Sequence, residues 1–172
     1  MKIINHITST DITGNEIAYT VIAVQETAMI AGDPLENTHY YWVPAGADLN
    51  DTANYLEPLD QIDQNFDTDY QLYREQYGFL FPEEIKAARA GLGLTLRETA
   101  LLLAMSFSTL SNIENGLVLQ SLDQEIKLRL LTQPAALTQH VRQHQQLFVS
   151  RATRQSLDAR KLFAKLHLPL PQ

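Results

Sequence analysis

The spacing of apolar positions changes period along this 172-residue chain. In residues 16–30, EIAYTVIAVQETAMI, Ile17, Tyr19, Val21 and Ala23 alternate with Ala18, Thr20, Ile22 and Val24. Neither face is strongly polar, and the β-branched content predicts a strand. Gly32-Asp33-Pro34 is a turn signal, and Thr38 to Val43 reads as a second strand stopped by Pro44. The expected product is a β-hairpin or small antiparallel sheet, marginal alone and in need of cover. Leu59, Ile62, Phe66, Tyr70, Tyr73 and Tyr77 then recur at spacings of 3, 4, 4, 3 and 4, one stripe of a helix that Gly78 stops. This stripe is expected to pack on the hairpin. Asp60, Asp63, Asp67 and Asp69 are expected to form the helix's solvated face, since they lack the glycine and terminal glutamate of a calcium loop.

From Phe81 the period is helical and the breaks are short. Pro82 suits a first helical position, and Glu83 and Glu84 complement the helix dipole. Ile85, Ala88, Arg89 and Leu92 share one face, and Gly91 and Gly93 punctuate the end. Thr95 with Glu98 forms a capping box for the next helix, in which Ala100 suits a close helix contact and Leu101 and Leu103 supply apolar faces. Ser106 caps a third helix anchored by Leu110 and Ile113 and ended by Glu114-Asn115-Gly116. Ser121 with Gln124 opens a fourth that runs to Leu131. Beyond Pro134, Leu137, Val141, Leu147 and Phe148 suit one helix; Leu157, Leu162, Phe163 and Leu166 suit another, ended by Pro169. These last helices cover the domain, mediate dimerisation, or lie along a phosphate backbone.

Composition narrows the function. There are no cysteines, which excludes disulfides, thiol catalysis and cysteine-based zinc sites and fits a cytoplasmic protein. No apolar run approaches the ~20 residues that cross a bilayer, so no membrane partner is expected, and MKIINHITSTDITG lacks the pattern of a secretory signal. The net charge of -7 opposes non-specific attraction to DNA. Its distribution is uneven: residues 1–80 balance to -11, residues 81–131 to -1 and residues 132–172 to +5. His140 and His144 lie four apart but have no further ligand beside them; His6, His39 and His167 are isolated, and His39 is expected on a strand surface. GLGL at 91–94 follows no strand and is no nucleotide loop. With no converging acid, base and nucleophile, no enzyme, metal or cofactor is expected.

The run FPEEIKAARAGLGLTLRETALLLAMSFSTLSNIENGLVLQSLDQEIKLRLL, residues 81–131, resembles the five-helix lambda-repressor/Cro (XRE) helix-turn-helix. More narrowly, YREQYGFLFPEEIKAARAGLGLT and ENGLVLQS resemble the linker and helix-turn-helix of MqsA-type antitoxins. In that family a zinc ribbon precedes the helix-turn-helix and binds a toxin or other partner. The absence of cysteine departs from this: the ribbon is either gone or rebuilt as the metal-free hairpin. The resemblance implies an Arg89–Glu114 ion pair and an operator contacted by Thr95, Leu96 and Arg97 on the second helix. On the third helix it implies Ser106, Phe107, Ser108, Thr109, Ser111 and Asn112. Many relatives carry Gln at the Leu96 position and a basic residue at Phe107 or Asn112, so here only Arg97 supplies local charge. The expected fold class is α+β, a small N-terminal hairpin and helix domain at 1–78, an all-α helix-turn-helix domain at 79–132 and a basic helical extension at 133–172. The expected function is transcriptional regulation, as an antitoxin-like or phage-type repressor. Its expected partners are double-stranded DNA, a second copy of itself, and a toxin or other protein at the acidic N-terminal domain. The alternative is a protein-binding adaptor whose helix-turn-helix has lost DNA.

Overall fold

The computed structural model describes residues 1–10 and 13–170, an α+β chain that divides into two compact units, Met1–Tyr77 and Gly78–Gln172. The first unit is built on a three-stranded antiparallel sheet in the order β1 (Lys2–Thr10), β2 (Glu16–Ile30), β3 (Asp33–Pro44). The expected hairpin is β2–β3. Its turn is the two residues Ala31 and Gly32, at φ 53° and 97°, which is the positive-φ pair that a tight hairpin requires. Asp33 therefore opens β3 opposite Ile30, and Pro34 lies within the strand opposite Met29. Proline is tolerated because β3 is an edge strand. β3 is thus longer than Thr38–Val43, and β1 is an addition to the hairpin. Ile3, Ile4 and Ile7 show no alternation in β1 because the register shifts between Ile3 and Asn5, making Ile4 the extra residue of a bulge.

The helix α1 (Gln64–Tyr77) corrects the expected tyrosine stripe. Leu59 and Ile62 precede it, Phe66 and Tyr77 are exposed, and the buried positions are Asn65, Asp69, Tyr73 and Arg74. The reason lies in the surface that α1 meets, an edge strand with unpaired backbone and polar side chains. The Asn65 amide accepts from Tyr40 N at 2.9 Å and donates to Tyr40 O at 2.9 Å, closing that edge. Asp69 accepts from Asn37 Nδ2 at 2.8 Å and from His39 Nε2 at 2.9 Å. The Tyr73 hydroxyl donates to Asp33 at 3.2 Å. Helix and sheet are joined by polar groups spaced four apart, so Asp69 does not belong to a solvated face.

His39 is likewise buried rather than on a strand surface. Its Nδ1 lies 3.0 Å from Glu26 Oε2, while Nε2 meets Asp69. Both neighbours are carboxylates, so the site favours the protonated imidazolium, in which both ring nitrogens donate. Burial alone would lower its pKa; the hydrogen bonds to Asp69 and Glu26 outweigh that and raise it above 6.5. The Tyr41 hydroxyl also donates to Glu26, at 2.8 Å, and burial with this bond raises its pKa well above the usual phenol value.

The second unit is all α: α2 (Pro82–Gly91), α3 (Leu96–Leu102), α4 (Phe107–Glu114), α5 (Leu122–Leu128) continued by a 3-10 turn at Arg129–Thr132, α6 (Pro134–Gln143), α7 (Gln145–Arg154) and α8 (Ala159–Lys165). One apolar core runs through it, with Ile85, Leu110, Ile113, Leu128, Val141 and Phe163 fully buried. Residues from Pro134 onward therefore share the core of the helix-turn-helix. The single helix expected over Leu137–Phe148 is two, broken at His144 (φ −124°, ψ 28°) with no glycine or proline to mark it. The break returns Phe148 and Ala152 to the core beside α3 and leaves Leu147 exposed.

The raised His39 pKa has a definite sign in stability. Its contribution is full below pH 6.5, the ordinary value, and is lost as pH rises through the folded value above it. Thermal unfolding of the full chain from about pH 5.5 to about pH 8.5 should show the transition of the first unit falling at the alkaline end. His39→Phe should flatten that dependence. A pH-independent transition in the native sequence would mean that the folded and unfolded rings share one pKa, and a transition falling instead at the acidic end would mean that the fold holds the ring neutral.

Candidate nucleic-acid interface

Local caps define α3 and α4. Thr95 Oγ1 accepts from Glu98 N at 3.2 Å while Glu98 Oε2 accepts from Thr95 N at 2.7 Å, so the expected capping box is present. Glu98 is buried and also receives Lys165 Nζ from α8, at 2.7 and 2.9 Å. Burial would raise its pKa; the bonds from Lys165 and Thr95 outweigh it and hold the carboxyl below 4.5. Ser106 caps α4, accepting from Thr109 N at 3.0 Å. Between the helices Ala104 takes φ 50°, a left-handed conformation that costs a non-glycine residue about 1–2 kcal/mol. The tight turn is retained despite that cost because Leu101, Leu102 and Leu103 are all buried around it.

Arg89 fixes α4 against α2. Its Nε and Nη2 donate to the two oxygens of Glu114 at 2.7 and 2.8 Å, and Nη1 donates to Leu94 O at 3.0 Å. One guanidinium thus holds the end of α4 and the loop before α3. The bond to Glu114 raises the pKa of the Arg89 guanidinium above its ordinary value. Leu110 and Ile113 seat the buried side of α4, and Gly116 leaves it at φ 74°.

What α4 leaves outside is a short polar edge. Ser106, Phe107, Ser108 and Asn112 are exposed; Thr109 and Ser111 are half-buried. Ser106 Oγ lies 3.0 Å from Ser108 Oγ and 2.7 Å from Thr109 Oγ1, so three hydroxyls converge at the helix start. On α3, Thr95 and Arg97 are exposed, while Leu96 is half-buried and packs against the core. The Arg97 guanidinium stands over the Phe107 ring at 5.9 Å, joining the first turns of α3 and α4. Two further cations stand at the α3–α4 turn, where the helix-turn-helix pattern alone does not place them. Arg151 and Arg154 of α7 line a groove of about 490 Å³ with Ala100, Leu101, Ala104 and Met105, at the α3–α4 turn. Their place depends on the break at His144, for which the sequence carries no marker.

Residues 85–128 match the helix-turn-helix family model HTH_3. No curated protein and no solved structure matches the chain. The matched segment spans most of α2 through α5, and these residues have the helix-turn-helix arrangement that the family model describes. No helix among the described residues is long and apolar enough to cross a membrane.

Removing Arg89 would leave the buried Glu114 carboxylate uncompensated. Arg89→Ala should lower the stability of the helical unit by about 3 kcal/mol in urea unfolding, whereas Ser108→Ala at the exposed edge should stay within about 0.5 kcal/mol. A loss below about 1 kcal/mol for Arg89→Ala would show that the pair behaves as an exposed one.

Proposed function

We propose that this protein is a cytoplasmic, DNA-binding transcriptional regulator, an antitoxin-like or phage-type repressor that acts as a dimer and reads the major groove of an operator with α4. The observation that carries the reading is the exposed hydroxyl and amide edge of α4 on a helix-turn-helix frame. Ser106, Ser108, Thr109, Ser111 and Asn112 can bond to base edges or phosphates, Phe107 can meet a thymine methyl, and Thr95 and Arg97 approach the backbone from α3. Arg151 and Arg154 supply the phosphate-neutralising charge that α4 itself lacks. The acidic first unit suits a basic protein partner such as a toxin, with opposite charge speeding the encounter.

The second reading is an adaptor that has given up DNA. It is favoured by one observation: Arg89, Lys127 and Arg129, three of the five basic residues in 81–131, are engaged by carboxylates of the same segment.

Fluorescence anisotropy with DNA from the gene's own upstream region, at about 50 and about 200 mM salt, separates the two. Saturable, sequence-selective binding that weakens with salt is expected. Ser108→Ala with Thr109→Ala should cost about 1–3 kcal/mol on the selected sequence. Arg151→Gln with Arg154→Gln should weaken all sequences alike and reduce the salt slope by about 1 per charge. Absence of selective binding at the lower salt would leave the adaptor.

A further inference from the structure

The helical unit contains a second concavity, distinct from the α4 edge, with a different chemistry. It measures about 370 Å³ and lies among the end of α3, α5 with its 3-10 continuation, α6 and α7. That size is at the lower end for sites that bury small organic ligands. Its walls are apolar: Leu102, Leu103, Leu130, Leu147 and Phe148. Its polar groups are all basic: Lys127, His140, His144 and Arg151, and no carboxylate lines it. Arg151 makes no ion pair among the described residues, and Lys127 makes only the exposed i,i+4 pair with Asp123 at 3.3 Å, a weak competitor. The aromatic groups are arranged edge to face, with the His140 and His144 rings 5.1 Å apart and His140 6.0 Å from Phe148. Such edges favour a flat aromatic guest.

We propose that this cavity is a binding site for a small aromatic carboxylate, whose ring lies against Phe148 and the two imidazoles and whose carboxylate meets Arg151 and Lys127. An aliphatic neutral ligand would leave the cationic side unused, and a cation would meet four basic groups with no acid. Guanidinium and ammonium donors supply charge-assisted hydrogen bonds, which are about twice as strong as neutral ones. Arg151 also lines the groove at the α3–α4 turn, so a bound carboxylate and a DNA phosphate would compete for it. That consequence rests on the DNA-binding reading; occupation of the cavity does not.

The test is isothermal titration of the full chain, without DNA, using 2-naphthoate as the probe and 2-naphthylmethanol as its neutral counterpart. Saturable one-site binding in the sub-millimolar range is expected for the acid, with the alcohol about tenfold weaker. Arg151→Gln and Lys127→Gln, both outside the core, should each weaken the acid at least about fivefold without shifting thermal unfolding. Equal binding of acid and alcohol, indifference to both substitutions, or no binding would overturn the assignment. So would sedimentation showing a dimer that Leu147→Asp dissociates, since the mouth of the cavity would then be closed by a second copy.

Discussion

Three glutamates buried in the helical unit, Glu98, Glu114 and Glu125, set the terms on which the rest of it is assembled. A buried carboxylate is tolerated only when several donors replace its water. Each of the three therefore gathers donors from distant parts of the chain and thereby fixes a junction. Glu114 takes Arg89 and joins α4 to α2; Glu98 takes Lys165 and joins α3 to α8. Glu125 accepts Leu80 N at 3.2 Å, Gln120 Nε2 at 3.1 Å and Arg129 Nε at 2.6 Å. Gln120 in turn donates to Leu80 O at 2.6 Å, and Arg129 also reaches Gly78 O. The entry to α2, the loop after α4 and the start of α5 are held by one carboxylate. The apolar core supplies the driving force, but these ion pairs choose which helix stands where.

That choice has an electrostatic consequence. A cation committed to a buried glutamate has no charge to lend a phosphate. In 81–131 only Lys86 and Arg97 make no ion pair among the described residues, and Arg97 is engaged with Phe107. The helix-turn-helix therefore has little free positive charge, and none on α4. Charge returns through α7, where Arg151 and Arg154 flank the α3–α4 turn. The segment from Pro134 onward thus has two roles in one packing arrangement. Phe148 and Ala152 are buried, α7 packs on α3, and the same helix brings Arg151 and Arg154 to the α3–α4 turn.

The parts of this arrangement that were legible in the sequence are those with local causes. Thr95–Glu98, Ser106 and Gly116 act within one turn of the chain, and the helices they bound stand where the pattern places them. The Arg89–Glu114 pair was available only by resemblance, since no local rule joins residues 25 apart. The errors are non-local too. β1 has no alternation because a bulge interrupts it, and the break at His144 answers to the packing of Phe148 on α3 rather than to a breaker residue. Of the candidate contact residues, the placement of Leu96 against the core could not be read from its position after a capping threonine.

The expected tyrosine stripe holds at Tyr73 and fails at Phe66 and Tyr77, for a more instructive reason. Hydrophobic periodicity identifies the buried side of a helix only when the surface it meets is apolar. In the first unit α1 meets the outer edge of β3, where Tyr40 has an unpaired N–H and C=O that must be satisfied. Asn65 provides one acceptor and one donor on a single side chain, as a neighbouring strand would. Two residues further along β3, Leu56 does the same with its own backbone, pairing with Trp42 at 2.8 and 3.0 Å. With the edge closed in this way, Asn65, Asp69 and Tyr73 form the buried stripe, and Phe66 and Tyr77 are left to solvent. The two units thus use opposite economies: apolar packing with a few buried ion pairs in the helical one, and in the other a polar seam that both docks the helix and closes the sheet. A seam of that kind is specific in register, because sliding α1 by one residue would break every bond in it.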